Sequence, residues 1–193
     1  MIAYGGEGNG RAGRLLWTLA ALGHERASLL DGGIHACAPP AGCWKPSSAS
    51  RRAARIVACF LNPAAVAQKD YILARLGQPD LVPLDARTLA EYAGLDRRAA
   101  RGGGHIPGAV NLNWTDAMDP QRHLRFQPDL GASGHARSAR RHSRPGSHRL
   151  LPDPHRSAHT YRVLRHLGDP RVRRVTPAPG RSGATILDLP VEV

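Results

Sequence analysis

Short apolar runs alternate with polar turns along this chain, and their order predicts alternating strands and helices. Leu81, Val82 and Leu84, ending in Asp85-Ala86-Arg87, read as a buried strand whose C-terminal end meets a polar turn. Thr88 then starts a helix, and Glu91 three residues on completes an S/T-x-x-E capping box. Gly104-His105-Ile106-Pro107-Gly108 forms a tight turn, and Ala109 to Leu112 a second short strand. Strand, helix, turn and strand in that order predict an α/β fold with a short parallel sheet flanked by helices.

The same reading extends to both sides. Ile2 to Tyr4 ends a strand, and Ala12, Leu15, Leu16 and Leu19 place an apolar stripe on a helix from Arg11 to Leu22, stopped by Gly23. Ser28 to Leu30 is a short strand before the turn Asp31-Gly32-Gly33. Asn62 as N-cap and Pro63 at the first helical position predict a helix through Ala64, Val66, Tyr71 and Leu76 to Gly77. Ala158, Tyr161, Val163, Leu164 and Leu167 give a helix from Ser157 to Leu167, with Gly168 as its stop.

Composition narrows the function classes. With 193 residues, 41% of them hydrophobic, the chain can build a core, although 5% aromatic content is thin. Cys37, Cys43 and Cys59 are odd in number and lack CxxC spacing, so reduced intracellular thiols are expected rather than a disulfide framework or metal site. No apolar run approaches a membrane span, and the N-terminus lacks the layout of a signal peptide, which together predict a cytoplasmic protein. The net charge of +12 concentrates at Arg51 to Arg55 and from Arg137 onward, among Ala, Ser, Gly and Pro with no apolar period. Ala132 to Pro154 is therefore expected to be disordered, and any nucleic-acid binding to be weak, sequence-independent and lost with salt.

Candidate chemistry is sparse. Gly5-Gly6-Glu7-Gly8-Asn9-Gly10 could present backbone N–H groups to an anion, or be a plain strand-to-helix turn, and its spacing matches no nucleotide fingerprint. Arg87, at the C-terminal end of a parallel strand, is placed to hold an anion, with a salt bridge to Asp85 or Glu91 as the alternative. His105 reads as a turn residue bonded to backbone rather than a base. Gly94 to Gly103, with Arg97, Arg98 and Arg101, reads as a solvated loop.

The D-x-R of Asp85 to Arg87, followed about twenty residues later by G-H-I-P-G-A-V-N-L, resembles the rhodanese (thiosulfate sulfurtransferase) family. Two further stretches carry the resemblance: Tyr4 to His24, and His155-Arg156-Ser157-Ala158-His159-Thr160-Tyr161 with the helix that follows. It implies that residues 1–36 are the C-terminal part of a non-catalytic first rhodanese domain, 37–60 an irregular linker, and 61–193 a second rhodanese domain. It also implies transfer of sulfane sulfur from an anionic donor such as thiosulfate to a thiophilic acceptor through a cysteine persulfide, with no cofactor or metal. Arg87 and Arg156 are then the substrate-binding candidates.

The nucleophile itself is missing. Family members carry a cysteine five residues before the arginine, in a loop reading C-Q-T-H-x-R, and Leu151 occupies that position here. Leucine cannot form a persulfide, and Pro152 and Pro154 remove N–H donors that a thiolate cradle needs. The chain is expected to be inactive as translated. A non-catalytic module binding anions or a partner protein of unknown identity is one alternative, and a basic nucleic-acid-binding protein another. Family-like sequence breaks off at 37–60, 132–154 and 174–187 and resumes with sensible spacing, the pattern left by compensated frameshifts in GC-rich DNA. If Leu150 to Pro154 is encoded CTA-CTG-CCA-GAC-CCA, reading one base later yields Tyr-Cys-Gln-Thr.

Overall fold

The computed structural model describes residues 1–37, 61–98, 102–129, 148–151, 156–175 and 189–192. Its centre is a five-stranded, all-parallel sheet built from β3 (Val66–Ala67), β4 (Leu81–Asp85), β5 (Val110–Asn111), β8 (His148–Leu151) and β9 (Val172–Val175). The spatial order is β3-β9-β8-β4-β5. A two-stranded parallel pair, β1 (Ile2–Ala3) with β2 (Ser28–Leu29), and an antiparallel pair, β6 (Met118–Asp119) with β7 (Arg125–Phe126), lie outside this sheet.

Side-chain alternation sorts the strands onto two apolar layers. Val66, Val82, Leu84, Leu151 and Val172 face one cluster with Trp17, Ala158, Tyr161 and Leu164, from α1 (Gly10–Ala21) and α4 (Arg156–His166). Ala67, Leu81 and Val175 face the other, with Ile72 of α2 (Lys69–Leu73) and Tyr92 of α3 (Leu89–Tyr92). All five residues of β4 are buried, as expected of a central parallel strand covered on both faces.

Three expectations are corrected. The helix expected from Pro63 does not form there: Asn62 caps a turn by accepting the Ala64 N–H, and Val66–Ala67 pair with Arg174 and Val175 as an edge strand. β-branched Val66 gains more from a half-buried pleat than from a helix, and the helix starts only at Lys69. Residues 148–151, expected to be disordered, are instead a central strand between β4 and β9. Its partners impose the strand: Arg149 is neutralised by Asp169 at 2.7 Å, and Leu151 fills the core. Arg174, inside the third discordant segment, is likewise accommodated. Its guanidinium lies 4.1 Å from the Trp17 ring centroid and donates through Nε to Ser157 Oγ at 3.0 Å. The rest of the arginine-rich run lies outside the described residues. Cys37 is disulfide-bonded, against the expectation of reduced thiols; Cys43 and Cys59 lie outside the described residues.

Residues 1–37 pack directly onto the larger unit. The Trp17 indole donates to Ala65 O, and the Asn62 N–H donates to Ala21 O. The Phe126 N–H donates to Asp31 Oδ1. Helices α1 and α4 cross so closely that a Cβ on Gly13 would stand 3.2 Å from Ala158 O and His159 N. Gly13→Leu removes a helix-weakening glycine worth about 0.8 kcal/mol but overpacks backbone at a cost of roughly 1–3 kcal/mol, so a net loss is expected. Urea unfolding should show a lower midpoint; a raised midpoint would mean that the two helices are not in contact.

Candidate active-site cleft

The chain carries its ionisable groups to the C-terminal ends of β4 and β8, where open parallel sheets place ligands. Asp85, the last residue of β4, is buried and takes the fork of Arg87: Nε lies 2.9 and 3.0 Å from its two carboxylate oxygens. Arg87 also donates to Gly104 O at 2.7 Å, while its own carbonyl accepts from Asn111 Nδ2. Arg87 thus clamps the end of β4 to the 104 turn, in the alternative posed for it as a salt bridge with Asp85.

Glu91 holds the other arginine. The capping box forms: Thr88 Oγ1 accepts the Glu91 N–H, and Glu91 Oε2 accepts from the Thr88 N–H and hydroxyl. The same oxygen accepts from Arg156 Nη1 at 2.5 Å, and Oε1 accepts from Arg98 Nε at 2.9 Å. Burial by itself would push this carboxyl up, but hydrogen bonds from Arg156 and Thr88 and the Arg156 charge outweigh it and hold the pKa at about 2.

Arg156 opens α4 and lines a cavity of about 610 Å³. Trp114 lines the same cavity, as does the loop Gly5, Gly6, Glu7, Asn9, Gly10 and Arg11. That loop is held by Asn9, whose backbone is left-handed at φ 63°, whose Oδ1 accepts the Gly5 N–H and whose Nδ2 donates to Leu30 O. Gly8 is also at positive φ, and any Cβ there would meet Met118 Sδ at 2.6 Å. The loop before α1 and the first residue of α4 therefore line a single cleft.

The structure brings Arg156 to the cleft and does not bring Arg87 among the described residues that line it. Leu151 ends β8 fully buried in the apolar cluster. His105 stacks on Tyr92 with ring centroids 3.6 Å apart, meets Tyr92 O through Nδ1 and lies 3.2 Å from Glu192, so it fastens a turn. Sequence reasoning missed Glu91 as the partner of Arg156, because 65 residues separate them and no local signal links them. Among the described residues no group of three His, Cys, Asp or Glu could hold a metal ion.

Comparison with known proteins fits this geometry. A thiosulfate sulfurtransferase of Azotobacter vinelandii is 38% identical over 195 residues, covering 100% of this chain and 69% of that protein. The chain belongs to the rhodanese family. A thiosulfate sulfurtransferase of Pseudomonas aeruginosa is 35% identical to this rhodanese homologue over 89% of the chain and 62% of that protein's length. Among solved structures, SseA of Escherichia coli, a 3-mercaptopyruvate sulfotransferase of rhodanese fold, superposes with a TM-score of 0.72 at 23% identity, over 93% of the chain and 66% of that structure. The Tum1 protein of Saccharomyces cerevisiae gives 0.67 at 19% identity, over 90% and 62%. At these identities the structural likeness concerns the fold. No family model matches the chain. Among the described residues no helix is long and apolar enough to cross a membrane.

Glu91 sets an acid limit on the cleft. Its folded pKa of about 2 lies below the ordinary 4.5, so its contribution is complete above pH 4.5 and is lost as pH falls toward 2. The shift corresponds to stability on the order of 3 kcal/mol. Thermal unfolding should show a melting temperature that falls across this window, and Glu91→Gln should flatten that slope. An unchanged slope in the variant would remove Glu91 from the role.

Proposed function

We propose that this chain is a rhodanese-type module that binds a small sulfur oxyanion but has lost the nucleophile that would turn it over. The observation that carries this reading is Leu151: it stands at the end of β8, five residues before Arg156, and is buried in the apolar core. In the family reaction a thiolate attacks the sulfane sulfur of thiosulfate, the S–S bond breaks and sulfite leaves. The resulting persulfide then passes its sulfur to cyanide or a thiol. A leucine side chain has no lone pair to begin that sequence. Cys37 is committed to a disulfide.

Binding is a separate matter from turnover, and the binding parts support it. Arg156 sits in the first turn of an 11-residue helix, where guanidinium charge and the positive end of the helix dipole act together on an anion. Glu91 fixes the guanidinium in place, and the glycine-rich loop lines the same cavity. In this reading residues 1–36 are the C-terminal part of a first rhodanese domain and contribute the loop that lines the cleft with Arg156.

The reading of the three discordant segments as compensated frameshifts goes with it. It is supported by an alignment to the Azotobacter relative that spans the whole chain, 195 positions for 193 residues, and so runs through all three segments. Resequencing the gene decides this point: an alternative frame without a cysteine codon at Leu151–Pro152 would leave natural divergence as the explanation.

Thiosulfate should bind measurably by calorimetry, and Arg156→Lys, which keeps a charge beside Glu91 but loses the planar fork, should weaken it about tenfold. No cyanide-dependent thiocyanate should form above a heat-killed control, with or without Leu151→Cys, since Pro152 and Pro154 remain. Thiocyanate production by the unaltered chain would overturn the proposal, as would equal binding by the lysine variant.

A further inference from the structure

A second cavity, of about 450 Å³, lies between β2, the end of β7 and α4. Its walls include Leu29, Asp31, Phe126 and Pro128 on one side and Arg162 and His166, one helical turn apart, on the other. Six residues separate Arg162 from Arg156, which at 100° per residue puts them about 120° apart around the helix, so this cavity is distinct from the cleft.

Among the described residues Arg162 lacks the kind of partner that holds Arg87, Arg149, Arg156 and Arg174. Arg87, Arg149 and Arg156 each meet a carboxylate, and Arg174 meets Ser157 and Trp17. Among the described residues no carboxylate pairs with Arg162, and its Nε is shut away from solvent with no hydrogen-bond partner. Burial, with the neighbouring Arg165 charge, pulls its pKa below the ordinary arginine value against the opposing effect of Tyr161. A half-buried guanidinium facing a cavity gains most from an anion that can take its planar donors. Leu29, Phe126 and Pro128 make much of the cavity apolar, and His166 lies against Phe126 at 5.6 Å. Asp31, whose Oδ1 accepts the Phe126 N–H, stands in the same cavity and disfavours a multiply charged anion.

We infer that this cavity is a binding site for a small monocarboxylate with a flat apolar body, its carboxylate on Arg162 and its body against Phe126, Leu29 and Pro128. Benzoate is the probe, and benzamide its neutral counterpart of nearly equal shape. Calorimetric titration of the full chain should show benzoate binding, benzamide at least tenfold weaker, and Arg162→Met at least tenfold weaker for benzoate. Saturating thiosulfate should leave the benzoate titration unchanged, which separates this site from the Arg156 cleft. Equal affinities for benzoate and benzamide, wild-type affinity in Arg162→Met, or displacement by thiosulfate would each overturn the inference. Should Arg162→Met fail to fold, the benzoate-to-benzamide comparison on the unaltered chain still decides it.

Discussion

The carboxylate of Glu91 sits where three segments meet, and the geometry of the cleft depends on it. A buried charge is tolerated only when it is paired and hydrogen-bonded. Glu91 meets that demand with the first turn of α3, with Arg98 from the following loop and with Arg156 from the start of α4. Removing any partner exposes the others to an uncompensated charge, so the network fixes the spacing between α3 and α4 across the ends of β4 and β8. Arg156 reaches the cavity wall because Glu91 holds it there.

The close crossing of α1 and α4 provides the second constraint. Gly13 against Ala158 lets the two backbones approach, and the loop before α1 and Arg156 of α4 line one cleft. A larger residue at position 13 would separate the walls. The cleft is thus a product of packing between residues 1–37 and the central sheet, and neither unit contains it alone.

Much of this was legible in the sequence, because the telling signals are local. The β4 run with its D-x-R end, the Thr88–Glu91 box, the amphipathic α1 and α4 with glycine stops, and His105 as a turn residue all follow from short-range spacing. What was not legible is long-range. No period marks 148–151 as a strand; it forms because Leu81 to Pro83 and Val172 to Arg174 offer ladders on both sides. Val66 and Ala67 looked helical behind a good N-cap and were drawn into the sheet edge by β9. Sequence could name Arg87 and Arg156 as anion candidates, and the fold adds their neighbours: Arg87 meets Asp85 and Gly104 O, and Arg156 meets Glu91 and lines the cleft.

In the function proposed for this chain scaffold and nucleophile have parted: the sheet, the anchoring carboxylate and the cleft surround a strand end that carries leucine. Intact-mass measurement after incubation with thiosulfate and desalting tests that separation most directly. The account predicts an unchanged mass, with no sulfur added that cyanide can remove. A stoichiometric gain of one sulfur atom, released by cyanide, would show a working persulfide and contradict it.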